Sequence, residues 1–365
     1  MIRYLKYLFN WVPGFDPRII PSLLFQKNPK KKKNKINIFF GNCGREFFEK
    51  KIYGGKIKLF YLKNAFEQGA HANILYLVSS ALPSGWIWSL FYFKVTGRKV
   101  VLNQNGVYYP EILPFFYSIA NLSNIIILIF ADYVIYQSKF CRKMALKYLT
   151  NKKVDHKILY NPAQKFRLKK KTKKIIKNIA MMGNQYEKYR LDRALSIASF
   201  LQSKKNKFIF YIYGLLNWSS NILKNKQYLN NKLNQKKLQG HVIYKGPYKR
   251  VELPSILRKT DILLHTKNLD PCPSAVVEAI RNGIPVVYIK NGGTSELVGP
   301  GGIGVVPSAK KPAPCNPLEH RISVAINLLI SKYPRFSKLA KKQGEKYSIE
   351  KWIRQHYKIF KKLNK

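Results

Sequence analysis

A chain of 365 residues with 46% apolar side chains can bury the cores of two domains, which excludes an obligate need for disulfides or metal in folding. Its 67 Lys and Arg against 17 Asp and Glu give a net charge of +50, so its partners are expected to be anionic. The basic runs at 30–33 and 169–174 lack interleaved aromatics; this argues against a base-stacking nucleic-acid platform and favours an anionic membrane surface.

The cysteines Cys43, Cys141, Cys272 and Cys315 are scattered without a CxxC pair, which fits a reducing cytosol rather than a disulfide framework. No run reaches the roughly 20 apolar residues of a membrane span. The expected location is therefore cytoplasmic, with peripheral attachment to the inner face of the cell membrane as an option. Residues 1–34 form a basic, aromatic leader broken by Pro13. It fits either an interfacial amphipathic segment or a frayed leader over the core.

From residue 35 the chain alternates apolar runs with helical patterns. Strands are expected at 36–40, 73–78, 99–103, 131–136 and 157–160, with helices between them. This pattern implies a parallel sheet covered on both faces. The stretch 166–177 is a basic linker with little to pack, so 35–165 and 178–345 are the expected domains. Strands of the second are expected at 178–182, 208–213, 242–244, 261–265, 285–289 and 304–306. A helix with Leu191, Ala194, Leu195, Ala198 and Leu201 on one face follows the first of these. The segment 346–365 reads as a last helix, capped by Ser348 and buried along Ile349, Ile353, Tyr357 and Phe360, that returns to the first domain. The fold class is α/β, with two Rossmann-like doubly wound parallel-sheet domains facing across a cleft. Ligands of such sheets sit outside the carboxyl ends of the strands.

The densest chemistry lies at 261–298. Asp270 and Glu278 stand eight residues apart around a Pro-rich turn, Pro271, Cys272, Pro273 and Ser274. A buried-type strand through Gly283, Pro285, Val286 and Val287 follows, and then Gly292, Gly293 and Glu296. Acids beside a helix start suit sugar and ribose hydroxyls, and the N–H groups of Ser274 and Ala275 suit a phosphate. Singly, Asp270 reads as a capping residue and Glu278 as an ordinary helix acid. Together the stretch resembles the donor-binding signature of retaining glycosyltransferases of the GT-B fold, family 4 (glycosyl transferases group 1).

The resemblance implies that Glu278 accepts hydrogen bonds from the ribose of a nucleotide sugar, with Glu296 nearby, and that Asp270 faces the donor sugar. Asp270 departs from the family's Glu; its carboxylate sits back by roughly 1.5 Å. After the strand at 178–182, Lys188 and Arg190 stand where the family places a diphosphate-binding pair, although Asn184 replaces the usual Arg. Gly246, Pro247 and Tyr248 match the nucleobase loop. Gly54 and Gly55 match the Gly-rich loop near the donor phosphates. Asn105 with Gly106 takes the place of a His-Gly beside the reacting sugar, where it either orients a group or forms an Asn-Gly turn. The absence of an Asp-x-Asp motif implies no catalytic metal, and no cofactor is expected beyond the donor itself.

The expected partners are thus a nucleotide sugar and a saccharide or lipid-linked acceptor, with no nucleic acid. The aromatic run 86–93 fits either a lipid-carried acceptor or the core. Two rivals stand beside sugar transfer: a nucleotide-sugar epimerase, and a basic non-catalytic scaffold that binds polyphosphate or membrane.

Overall fold

The computed structural model describes residues 12–20, 23, 36–41, 54–68, 71–111, 113–168, 178–203, 208–307 and 318–364. The runs 1–11 and 24–34 of the leader and 169–177 of the linker lie outside them, as do Cys43 and Cys315.

Continuous Ile, Val and Leu runs form strands buried on both faces, as apolar helices on either side require. In the first unit, Met1–Pro162 with Ile349–Lys365, the strands are β1 (Ile38–Phe39), β2 (Ile74–Val78), β3 (Lys99–Gln104), β4 (Tyr133–Tyr136) and β5 (His156–Ile158). They pair in parallel in chain order among the described residues. The fourth starts later than its apolar run, because Asp132 sits at its entry: the carboxylate accepts from Val100 N at 2.7 Å and pairs with Lys94 at 3.1 Å. Helices α1 (Gly55–Ala65), α2 (Trp86–Val95), α3 (Tyr117–Ala120), α4 (Leu122–Phe130) and α5 (Lys139–Tyr148) connect the strands.

The second unit, Ala163–Ser348, carries β6 (Asn178–Met181), β7 (Ile209–Tyr213), β8 (Val242–Gly246), β9 (Ile262–His265), β10 (Val286–Ile289) and β11 (Gly302–Val305). The sheet order is β11-β10-β9-β6-β7-β8, all parallel. Its helices are α6 (Lys188–Gln202), α7 (Ile222–Gln235), α8 (Leu253–Lys259), α9 (Ser274–Arg281), α10 (Thr294–Val298), α11 (Leu318–Ser331) and α12 (Tyr333–Gly344). Leu191, Ala194, Leu195, Ala198 and Leu201 of α6 are all in the core of this unit.

The last helix, α13 (Ile349–Leu363), packs in the first unit's core beside β2 and α1. Its buried face is Trp352, His356, Ile359 and Phe360, whereas Tyr357 is exposed. The face is therefore turned from the one expected: Ile349 and Ile353 are at its margin, and Trp352 and His356 fill its centre. A polar relay crosses this core. Lys58 Nζ donates to Asn103 Oδ1 at 2.9 Å, Asn103 Nδ2 donates to the Tyr76 hydroxyl at 2.7 Å, and that hydroxyl lies 3.0 Å from His356 Nε2. His356 Nδ1 faces the Trp352 carbonyl at 3.0 Å, so Nδ1 carries the proton and Nε2 accepts from Tyr76.

The described part of the leader does not fray. Ile19 and Leu23 are buried, Pro13 O accepts from Gly85 N at 2.8 Å, and Phe15 O accepts from Trp88 Nε1 at 3.1 Å. Trp86, Leu90 and Phe93 of the aromatic run are core residues, and Phe91 points outward. Among the described residues no helix is long and apolar enough to cross a membrane.

Candidate active site

In the second unit β6 lies between β9 and β7, so the chain leaves β6 and β9 toward opposite halves of the sheet. A reversal of this kind opens a crevice at the carboxyl ends of the two strands. The turn after β6 leads into α6 and brings in Arg190. This side chain is buried; its Nη1 donates to Asn184 O at 3.1 Å and lies 3.8 Å from Glu187 Oε2, and its Nε has no hydrogen bond.

The turn after β9 brings in His265, Lys267 and Asp270. Asp270 Oδ2 is 3.4 Å from His265 Nε2 and 3.6 Å from Lys267 Nζ. The first distance is long for a hydrogen bond, and the buried Nε2 makes no other. Burial opposes ionisation of Asp270, yet Lys267, His265 and Arg190 together hold its carboxyl well below the usual range. Burial pushes the His265 imidazole down, against the pull of Asp270, so it is neutral near neutral pH. Asp270 raises the Lys267 ammonium. Two cations thus face two carboxylates, Asp270 and Glu187, and Asp270 is ionised.

The loops are clamped in place. Tyr189 of α6 accepts from Asn268 N at 3.1 Å, and Asn291 Oδ1 accepts from Leu269 N at 3.0 Å. Gly293 N donates to Asp270 O at 2.9 Å. Beside it, a Cβ at Gly292 would lie 2.8 Å from both the N and the O of Asp270, so only glycine allows the loop after β10 to approach this closely. Glu296, one turn further in α10, accepts from Gln343 Nε2 through its backbone carbonyl at 3.2 Å.

Helix α9 supplies the second acid. Its N-cap is Pro273, without a side-chain cap, so Asp270 is not the capping residue. Val276 N and Val277 N donate back to Pro273 O, while the N–H groups of Ser274 and Ala275 form the helix opening. One turn on, Glu278 is buried with its Oε1 3.5 Å from Arg250 Nη1. Burial raises its carboxyl to about 7, against the opposing pull of Arg250. The same pocket holds Tyr248, whose hydroxyl is raised by burial and by Glu278 and whose ring meets Tyr213 edge-on at 6.1 Å. Gly246 O accepts from Gly214 N at 2.7 Å, which ties the Gly246–Pro247–Tyr248 turn to the end of β7.

Lys188 does not join Arg190. It is exposed and lies 4.0 Å from the centre of the Tyr228 ring, because two residues along a helix point to different sides. Lys267 and His265 lie beside Asp270, and Arg250 beside Glu278. The bare sequence gave little sign of these, since a lysine among 67 basic residues carries no mark of its own.

In the first unit Gly54 is the N-cap of α1 with φ +56, and Gly55 lies against Ser80, whose Oγ would be 2.6 Å from an added Cβ. Asn105, just past β3, is buried: its N donates to Ser79 Oγ at 2.9 Å, its Nδ2 to Ser80 Oγ, and its Oδ1 accepts from Lys58 Nζ. Lys58 also reaches Gln137 Oε1 at 3.3 Å. Asn105 and the Gly54–Gly55 loop therefore share one polar pocket built on Ser80 and Lys58.

Residues 161–319 match the family model described as Glycosyl transferases group 1. The match falls almost wholly on the second unit and covers less than half of the chain. No curated protein matches the sequence at a significant level. Among solved structures, HepE from Anabaena in complex with UDP and glucose is similar with a TM-score of 0.61 and 16% identity, over 88% of this chain and 83% of that one. A glycosyltransferase from Rickettsia africae aligns with a TM-score of 0.62 and 13% identity, over 90% and 99%. Sucrose-phosphate synthase from Thermosynechococcus elongatus gives 0.63 and 13%, over 84% and 76%. The two parallel-sheet units have the GT-B fold of these structures. Within the matched residues, the partly buried Asp270 cluster and the Glu278 pocket flank the opening of α9.

Proposed function

We propose that this protein is a retaining glycosyltransferase that moves a sugar from a nucleotide-sugar donor to a surface-glycan or lipid-linked saccharide acceptor, without a metal ion. The observation that carries the reading is the ionised, partly buried Asp270 held between Arg190, Lys267 and His265 at the sheet's reversal point. An isolated carboxylate withdrawn from water is costly; here it keeps part of its surface exposed and has cations beside it. In this reading Asp270 accepts hydrogen bonds from the donor sugar, and Arg190 and Lys267 offset charge on the departing diphosphate. The N–H groups of Ser274 and Ala275 receive a phosphate oxygen, and Glu278 accepts from the ribose hydroxyls with Arg250 and Tyr248 around it.

The acceptor oxygen bonds to the anomeric carbon as the bond to the diphosphate breaks, on the same face. The acceptor proton passes to an oxygen of the departing donor phosphate. Cations fixed in the protein then do the work a metal would do at the leaving group.

UDP is the first nucleotide to test, since HepE was solved with UDP and glucose, and the pneumococcal O-GlcNAc transferase GtfA with UDP and GlcNAc. Thermal shifts with UDP, GDP and ADP are the direct assay, because a ligand bound only to the folded state raises Tm. One of the three should raise it, and Glu278→Ala should abolish that rise with the fold intact by circular dichroism. No shift with any nucleotide would overturn the donor site; an undiminished shift in Glu278→Ala would overturn the ribose assignment.

A further inference from the structure

A surface helix normally turns its charged residues to water and its apolar stripe inward. Helix α4 does otherwise. Ser123 and Asn124 are buried with Ile127 and Leu128, while Leu122, Ile129 and Phe130 are exposed. At the α3–α4 junction the buried Asn121 anchors the helix start: its Oδ1 accepts from Tyr108 N at 2.9 Å and its Nδ2 donates to Tyr108 O at 3.0 Å.

The face continues beyond α4. Phe115 is 90% exposed, Phe116 and Ile119 of the preceding turn and α3 are exposed, and residues 113–130 contain no charged side chain. Beside α4 lies α2, which adds Phe91 and Val95 to the outward side. Contiguous apolar surface on this scale marks a binding face.

Its border is basic. The Tyr117 and Tyr148 rings meet at 5.8 Å, which places the end of α5 beside α3, and Lys147 lies over the Tyr148 ring. At the other end Lys152 Nζ donates to Ile129 O. Of the nearest acids, Asp132 pairs with Lys94, and Glu111 stands near Lys147. An apolar centre with a cationic rim matches the interface of an anionic bilayer, where aromatics enter the acyl boundary and lysines meet headgroups. A second copy of this chain fits poorly, because each copy carries +50.

We infer that the α3–α4 face, extended by Phe91 and Val95, docks the protein on an anionic lipid surface. The assignment does not rest on the sugar-transfer reading.

The test is co-sedimentation of the full chain with phosphatidylglycerol-containing vesicles and with pure phosphatidylcholine vesicles. The parent should prefer the anionic vesicles and lose about tenfold in partitioning at about 0.5 M NaCl. The triple variant Phe115→Ser, Ile119→Ser, Ile129→Ser should lose about tenfold with an unchanged melting curve, since these side chains are outside the core. Phe115→Ser alone should lose about threefold, which keeps the test decisive if the triple variant folds poorly. The pair Leu223→Ser, Val251→Ser, exposed apolar residues of the second unit, should change nothing. Triple-variant binding equal to the parent's, no binding of the parent, or a parent dimer in sedimentation that the triple variant abolishes would each overturn the proposal.

Discussion

Glu278 is the residue whose chemistry is most sharply set by its surroundings. A carboxyl raised to about 7 by burial is about half protonated near neutral pH. Ribose hydroxyls donate more strongly to its ionised form, in which both oxygens accept, so nucleotide binding should lower its value and release a proton. The sign follows: affinity should rise as pH increases from about 6 to about 8. Calorimetry in buffers of different ionisation enthalpy should detect the release with the parent and not with Glu278→Gln. Gly292 offers a second test at this scale. In Gly292→Ala the new methyl meets the backbone of Asp270 at 2.8 Å, and the loop must move. The expected cost is about 1–3 kcal/mol of stability by urea unfolding, with a larger loss in sugar transfer than in nucleotide affinity, because Asp270 is displaced and Glu278 is not.

Among the elements, α13 carries the clearest stability consequences. Phe360 is fully buried and meets Phe66 at 5.0 Å and Tyr76 at 5.8 Å. Phe360→Ala should cost about 3–5 kcal/mol through lost burial and the cavity left behind. His356, on the same face, is pushed down to about 3, first by burial and also by Lys58, against the pull of the Trp352 carbonyl. The unfolded chain protonates this group near its ordinary 6.5, whereas the folded chain does not. The contribution of His356 is therefore intact above that pH and falls as pH drops toward about 3, at up to about 1.4 kcal/mol per pH unit. The difference in unfolding free energy between the parent and His356→Gln, measured from about pH 7 to about pH 5, should narrow as pH falls.

For the whole molecule the dominant fact is charge. At +50 over 365 residues, repulsion among surface cations opposes the compact state, and salt relieves it once the Debye length falls to about 10 Å or less. Tm should rise between about 0.05 and about 0.3 M NaCl, the opposite of what an ion-pair-stabilised surface would show. A flat or falling Tm would mean that ion pairs such as Lys362–Asp155 and Lys165–Glu345 outweigh the general repulsion.

The α/β fold with two parallel sheets was legible in the sequence, because strand and helix periods are local properties that β-branched runs and helical stripes report directly. The positions of Asp270, Glu278 and Arg190 were legible too, since a loop after a strand and the start of a helix fix where they lie along the sheet edge. Their partners were not. His265, Lys267, Arg250 and Lys58 gain meaning only from distances of about 3–4 Å across loops far apart in sequence, a range within which electrostatics act and a residue pattern gives no sign. The same holds for the phase of α13 and the inverted face of α4. Hydrophobic periodicity says that a helix has a buried side, but which side it is depends on what packs against it, and that is decided only when the chain has folded.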